Sequence, residues 1–247
     1  MTRRRKAAYK TSVLAFIGTL AALTAAHAQG VTVDLGEGSI TERALQLIAL
    51  ITVLSIAPSI LIMVTSFTRI VVVLSLLRAA LGTQTAPPNT VLVSLALFLT
   101  AFIMAPVFTT AYNQAVTPMI AGEITPQEAF DRATPPFRTF MLEHVREKDL
   151  RLFTDLAQET AETPEEVSLR ALVPAFMISE LRRAFEIGFL LFVPFLVIDL
   201  VVASILMSMG MMMLPPIIVS LPFKLIFFVL VDGWNLVAGS LVESFVR

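Results

Sequence analysis

Two ionisable side chains fall inside long apolar runs near the C-terminal end of the sequence. Asp199 lies near the middle of the run 187–207, and Lys224 lies within the run 217–231. A charge in hydrocarbon is costly unless it is paired or hydrated, so such residues mark ion pathways, proton relays or assembly contacts. If the two runs form a hairpin, the pair could meet within one subunit or across a subunit boundary. Each charge could also face water alone.

The segment between these two runs is rich in methionine. Residues 207–213 hold five of the eleven methionines in the chain, and Pro215 and Pro216 follow. Unbranched thioether side chains can re-pack around changing neighbours, and a turn between hairpin arms is a poor place for a core. The pattern therefore favours a flexible apolar seal around a pore over ordinary core filling. The candidate gasket residues are Met209, Met211, Met212 and Met213.

The sequence gives little support to metal or covalent chemistry. It contains no cysteine and two histidines, His27 and His144. Disulfides, thiolate metal sites and cysteine nucleophiles are thereby excluded, and one or two imidazoles do not make a histidine metal cluster. No Walker loop, G-x-S-x-G or H-E-x-x-H motif occurs, so the sequence does not support nucleotide binding or hydrolase activity. We expect neither an enzyme nor a cofactor.

The elements that must position these residues are membrane helices. Hydrophobic residues make up 56% of the chain and charged residues 15%, against roughly 25% charged in an average soluble domain. About twenty apolar residues cross a bilayer as a helix, which fits the runs 45–64, 90–110 and 187–207. A fourth apolar run, 217–231, is shorter. Each run contains one proline, namely Pro58, Pro106, Pro194 and Pro222. The expected fold is an all-α membrane protein with two Pro-kinked helical hairpins.

The first hairpin carries two arginines at its tip. Residues 65–81 are apolar but include Arg69 and Arg78, so this segment is a poor lipid-facing span. Residues 82–89 combine glycine, two prolines and asparagine, which predicts a turn.

A charged stretch separates the two hairpins. Residues 111–186 hold 13 of the 19 acidic residues, which predicts a small water-exposed helical insert. Thr125 and Thr163 each precede a proline and, three positions on, a glutamate, so both should begin a helix. The expected organisation is an N-terminal segment and first hairpin over 29–110, the insert over 111–186 and the second hairpin over 187–247.

The first residues have the pattern of a secretory signal peptide. Five basic residues among the first ten precede an apolar stretch over 12–26 and the sequence Ala26-His27-Ala28, which predicts cleavage after residue 28. The alternative is an uncleaved first span. Cleavage leaves 13 basic against 19 acidic residues, with no basic patch to suggest nucleic acid. It also places the insert in the periplasm and the arginines of the first hairpin inside, as the positive-inside rule prefers.

Two long strings resemble a known family. They are MVTSFTRIVVVLSLLRAALGTQTAPPN from Met63 and FMISELRRAFEIGFLLFVPFLVIDLVVASILMSMGMMMLPPIIVSLPFKLIFFVLVDGWNLV from Phe176. Both are similar to the FliP family of the flagellar type III export gate. The resemblance implies a pentameric homo-oligomer that joins FliQ and FliR and works with FlhA and FlhB. Its place would be the inner membrane at the flagellar basal body, with exported flagellar proteins as cargo.

The resemblance also implies roles for individual residues. The positions that match the family's methionine gasket are Met211, Met212 and Met213. Those that match its charged pair for assembly are Asp199 and Lys224, and Glu180 becomes a candidate subunit contact.

Three other functions compete with an export pore. One is the corresponding subunit of a virulence-type injectisome, whose members typically lack the cleaved signal peptide. Another is a proton-coupled transporter that uses Asp199 as its carrier, and the third is a passive scaffold. A transporter should show inverted repeats and tolerate no amide at 199, whereas an assembly pair should survive exchange of Asp199 with Lys224. The sequence shows no such repeat.

Overall fold

The computed structural model describes residues 40–159, 163–211 and 214–246, and these ranges contain helices and turns without any strand. The expected signal peptide and its cleavage site lie outside these residues. The chain divides into two compact units between Ser55 and Ile56. The described part of the first unit is the N-terminal portion of helix α1 (Ile40–Met63), where most of the large apolar side chains are exposed.

The second unit contains the end of α1 and all later elements. The remaining α-helices are α2 (Phe67–Leu81), α3 (Asn89–Ala111), α4 (Thr117–Ile120), α5 (Pro126–His144), α6 (Glu147–Ala157), α7 (Leu169–Ser208), α8 (Pro216–Leu230) and α9 (Gly233–Val246). A π-helical turn, Tyr112–Val116, joins α3 to α4.

Two helices among the described residues are long and apolar enough to cross a membrane. They run over Asn89–Ile120 and Leu169–Ser208, with 32 and 40 residues. Two bent pairs also qualify by length and composition, so the number of candidate spans is two, or up to four if each pair forms one span. The second pair, α8 with α9, bends by 64°. The prediction of an all-α membrane protein is confirmed, and the four prolines singled out above all lie inside helices.

The core of the second unit forms where α2 packs against α7. Ile70, Val73, Leu74 and Leu77 are at most 1% exposed, and their spacing places them on one face of α2. Gly188 of α7 lies under Leu76, because a Cβ atom there would come within 2.2 Å of a Leu76 methyl group. The segment that carries Arg69 and Arg78 is therefore a buried helix of the core.

The two predicted helix starts in the charged stretch have different outcomes. Thr125 caps α5 in a full capping box, with its hydroxyl accepting from the Glu128 amide and the Glu128 carboxylate accepting from the Thr125 amide. Thr163 begins only a three-residue 3₁₀ turn, Pro164–Glu166. The predicted start is present, but the helix stops after this turn, because Val167 leaves helical geometry with a ψ of 130°. Arg138 donates to the Glu165 and Val167 carbonyls.

Helix α7 begins in the charged stretch and continues through the third apolar run. Ser168 is its N-cap, and the Glu159 carboxylate accepts from both the amide and the hydroxyl of Ser168. Those two hydrogen bonds lower the pKa of Glu159, and a carboxylate there also complements the helix dipole. The expected boundary between residues 186 and 187 thus falls inside one helix, and a separate periplasmic domain stays a prediction.

Candidate functional site

Asp199 and Lys224 meet within one chain. The Nζ atom of Lys224 lies 2.6 Å from Oδ2 of Asp199, and the two side chains are 5% and 26% exposed. The contact joins α7 to α8 across the second hairpin. Of the arrangements left open by the sequence, the structure contains the one within a single subunit. A role of the pair in assembly stays a prediction.

Two further groups complete this junction. Ser220, one turn before Lys224 on α8, is fully buried and donates its hydroxyl to Oδ1 of Asp199 at 2.6 Å. Lys224 also donates to the Ala80 carbonyl at 3.1 Å. That carbonyl belongs to the last turn of α2, where acceptors lack helical partners and a cation is favourable. The junction therefore fastens three helices, α2, α7 and α8.

A second buried ion pair joins α2 to α7. Arg69 and Glu180 are both 0% exposed. Nε of Arg69 lies 2.8 Å from Oε2 of Glu180, and Nη2 lies 2.5 Å from Oε1. This two-point geometry is the strong form of an arginine–carboxylate pair. On its other edge, Arg69 donates to the carbonyl and hydroxyl of Ser244 at 3.1 and 2.9 Å.

Glu180 is buried within its own chain, and its role as a subunit contact stays a prediction. Its carboxylate is enclosed by its own chain and bonded through both oxygens to Arg69. Glu180 is a candidate site residue only through the family resemblance. The pairing with Arg69 was missed, although an arginine that is unsuited to a lipid-facing helix was a signal that a partner exists.

The methionine-rich segment begins where α7 ends. Gly210 has a φ of +75°, and its amide bonds to the Met207 carbonyl while the Met211 amide bonds to the Leu206 carbonyl. This is a Schellman motif, which requires a left-handed residue and so favours glycine. Met207, Met209 and Met211 are 59%, 53% and 40% exposed. Met212 and Met213 lie outside the described residues.

The polar insert is fastened to α7 through Asp149. Ser179 of α7 donates its hydroxyl to Asp149 at 2.6 Å, and Arg146 donates through two nitrogens at 2.8 Å each. Burial raises the pKa of Asp149, but these hydrogen bonds and the arginine charge outweigh it and hold the pKa below its usual value. No group of three or more histidine, aspartate or glutamate side chains able to hold a metal occurs among the described residues.

These features define a class of protein: a membrane-embedded chain of helices that are joined by two ion pairs, with an exposed methionine turn between two of the helices. The chain belongs to the FliP family, whose family model matches residues 50–241.

Relatives with assigned names extend the match over most of the chain. The sequence is 62% identical over 239 residues to the flagellar biosynthetic protein FliP of Caulobacter vibrioides, covering 96% of this chain and 90% of that protein. It is 55% identical over 201 residues to the protein of that name in Bacillus subtilis, covering 81% and 91%. For Aquifex aeolicus the identity is 50% over 218 residues, covering 87% and 91%.

Proposed function

We propose that this chain is a pore-forming core subunit of the flagellar type III protein export gate and passes unfolded flagellar proteins across the bacterial inner membrane. Membership of the FliP family supports the flagellar system, because the relatives above are named flagellar biosynthetic proteins. Those names favour the flagellar gate over an injectisome subunit or a proton-coupled transporter.

The observation that carries the pore is the exposed methionine turn at the end of α7. Met207, Met209 and Met211 project from a helix-ending motif, and each is at least 40% exposed. Exposed apolar side chains at a hairpin turn have no core to fill in their own chain, so they are suited to meet copies of themselves around a central opening. A ring of thioethers would form a dry constriction.

The proposed closed state follows from the physics of such a constriction. Hydrophobic constrictions in pores block ions by dewetting. Methionine side chains are also flexible enough to re-pack around a passing polypeptide. Met209, Met211, Met212 and Met213 are the residues that we propose line the gasket. The energy for export would come from other components.

The proposed assembly is a homo-oligomer of five copies that associates with FliQ and FliR and functions with FlhA and FlhB. The candidate spans support a multi-pass position in the inner membrane. Asp199, Lys224 and Glu180 would serve this assembly by fixing the shape of each subunit.

The experiment replaces Met211, Met212 and Met213 with alanine and measures two quantities together. Complex yield after affinity purification should stay normal, and resting cells that express the gate should leak ions. Met119→Ala is the control, because Met119 is also exposed but lies in α4. An assembled gate without added leak contradicts the gasket, and reduced assembly without leak indicates that the turn packs between subunits.

A further inference from the structure

The C-terminal end of α9 is held by side chains from two other helices. The last carbonyls of a helix lack partners within it, and buried ones must find donors elsewhere. Arg69 of α2 donates to the Ser244 carbonyl at 3.1 Å. Nε2 of His144 on α5 lies 3.3 Å from the Phe245 carbonyl, but Nδ1 of the same ring lies 2.8 Å from the Phe140 carbonyl, and a neutral imidazole donates to only one of the two. The end of α9 is therefore capped by Arg69, and His144 lies in contact beside it.

The ring of Phe245 lies between Arg69 and His144. The Arg69 guanidinium carbon lies 3.6 Å from the Phe245 ring centroid, which is a close cation–π contact. The same ring lies 5.2 Å from the His144 ring and 6.0 Å from the Phe140 ring, centroid to centroid. Arg69 thus reaches α9 through a carbonyl, a hydroxyl and an aromatic face.

Glu180 determines which edge of Arg69 is available to α9. The carboxylate occupies Nε and Nη2 of Arg69, which leaves Nη1 pointing to Ser244. A planar guanidinium can hold a carboxylate on one edge and a second acceptor on the other, whereas a lysine ammonium lacks this fork. The geometry thus requires arginine at position 69.

The α8–α9 corner connects this contact to the arm that follows the methionine turn. A Cβ atom on Gly233 would come within 2.2 Å of the Phe228 ring, and that ring packs edge-on against Trp234 with centroids 5.3 Å apart. The corner that joins α8 to α9 is therefore closely packed.

We infer that Arg69 and Glu180 are positioning residues that latch the end of α9 onto α2 and α7 within a single subunit. The consequence for the gate rests on the proposed function, since α8 is the arm that leads from the methionine turn. Glu180 then contributes to assembly without contacting another subunit, because it orients Arg69, which holds the end of α9 in place.

The test uses the full-length chain and the fact that it has no cysteine. A single cysteine at Leu241, which is 0% exposed on α9, should be protected from maleimide in the purified protein. Arg69→Lys and Glu180→Gln should each speed its labelling at least about tenfold. A single cysteine at Leu172, also 0% exposed but on α7, should stay protected in the same variants.

Two further variants separate positioning from simple charge burial. Glu186→Gln breaks the exposed Arg182–Glu186 pair on the same helix and should leave the position 241 label unchanged. Arg69→Met combined with Glu180→Met removes both charges together, so no buried charge is left unpaired. If Arg69 positions α9, position 241 should still be labelled faster.

Three results would overturn the latch. They are continued protection of position 241 in the single variants, equal labelling of position 172, and recovered protection in the double methionine variant. Because labelling requires neither export nor a pore, the latch can fail while the gasket leak appears, and the gasket can fail while the latch is supported.

Discussion

Lys224 donates to Asp199 across the second hairpin, with Nζ 2.6 Å from Oδ2. The same ammonium donates to the Ala80 carbonyl at the end of α2. Lys224 therefore has two acceptors of different kinds, one a carboxylate and one a backbone oxygen. This second acceptor changes what substitution experiments should show.

The first prediction concerns loss and exchange of this pair. Asp199→Ala leaves the buried Lys224 ammonium without its carboxylate, and an uncompensated buried charge costs roughly 3–5 kcal/mol. Lys224→Ala leaves the Asp199 carboxylate, which is 26% exposed, so its cost should be smaller. In both variants the yield of purified complex should fall. Exchange of the two residues should not restore it. A carboxylate at position 224 would face the Ala80 carbonyl, acceptor against acceptor.

This prediction differs from the expectation in the sequence analysis, which is that an assembly pair survives exchange of Asp199 with Lys224. That expectation considers only the two side chains, because the sequence does not indicate that Lys224 also donates to the Ala80 carbonyl. Full recovery of complex yield in the exchanged variant would contradict the three-helix junction.

The second prediction concerns Ser220. Ser220→Ala removes a hydrogen bond to the Asp199 carboxylate, and bonds to charged groups contribute roughly 1.5–3 kcal/mol. The thermal unfolding midpoint of the purified protein should therefore fall. Ser75→Ala is the matched control, because Ser75 is an exposed helical serine whose hydroxyl donates to the Val71 carbonyl. Equal unfolding midpoints for Ser220→Ala and Ser75→Ala would show that Ser220 does not stabilise the junction.

Much of the fold could be predicted from local sequence. An apolar run of spanning length predicted α3, and the pattern Thr125-Pro-Gln-Glu predicted the start of α5, because both signals act over a few residues. The helix predicted at Thr163 stops after one 3₁₀ turn, and the Glu165 and Val167 carbonyls find a donor in Arg138, which is 27 and 29 residues away in sequence. Local patterns do not report such a distant donor.

The candidate site could be predicted only in part for the same reason. Asp199 and Lys224 stand out because each is a charge within an apolar run. Glu180 and Arg69 are separated by 111 positions, and Glu180 follows a stretch already rich in acidic residues. Nothing in its neighbours marks it as buried. Ser220, Ser244 and Phe245 are ordinary residues of apolar helices, and only the packing of the chain gives them partners.

The third prediction tests the close approach of α2 and α7. Gly188→Ala would place a methyl group 2.2 Å from Cδ1 and 3.1 Å from Cβ of Leu76. Overpacking of this kind costs roughly 1–3 kcal/mol, so the variant should unfold at a lower temperature. In Gly239→Ala the new methyl meets nothing within 4 Å, and the helix should gain roughly 0.5–1 kcal/mol. Opposite shifts are expected, and a stabilised Gly188→Ala variant would contradict the packing.

The fourth prediction is a pH dependence at Asp149. Its pKa is lowered in the folded protein, so the carboxylate adds stability that is present above its ordinary pKa of about 3.9. That stability is lost as the pH falls through the lowered folded value. Asp149→Asn should therefore destabilise the purified protein at pH 7, and the difference from the unsubstituted protein should shrink below about pH 4.

The matched control for this pH dependence is Asp155→Asn. Asp155 is an exposed carboxylate on the same helix, α6, so its replacement should change the unfolding midpoint little at either pH. The measurement is the unfolding midpoint of each variant across the range from pH 7 to pH 3. A constant difference between Asp149→Asn and the unsubstituted protein would show that the charge on Asp149 does not stabilise the fold. If the difference in unfolding midpoint becomes smaller as the pH falls, the negative charge on Asp149 stabilises the contact between α6 and α7.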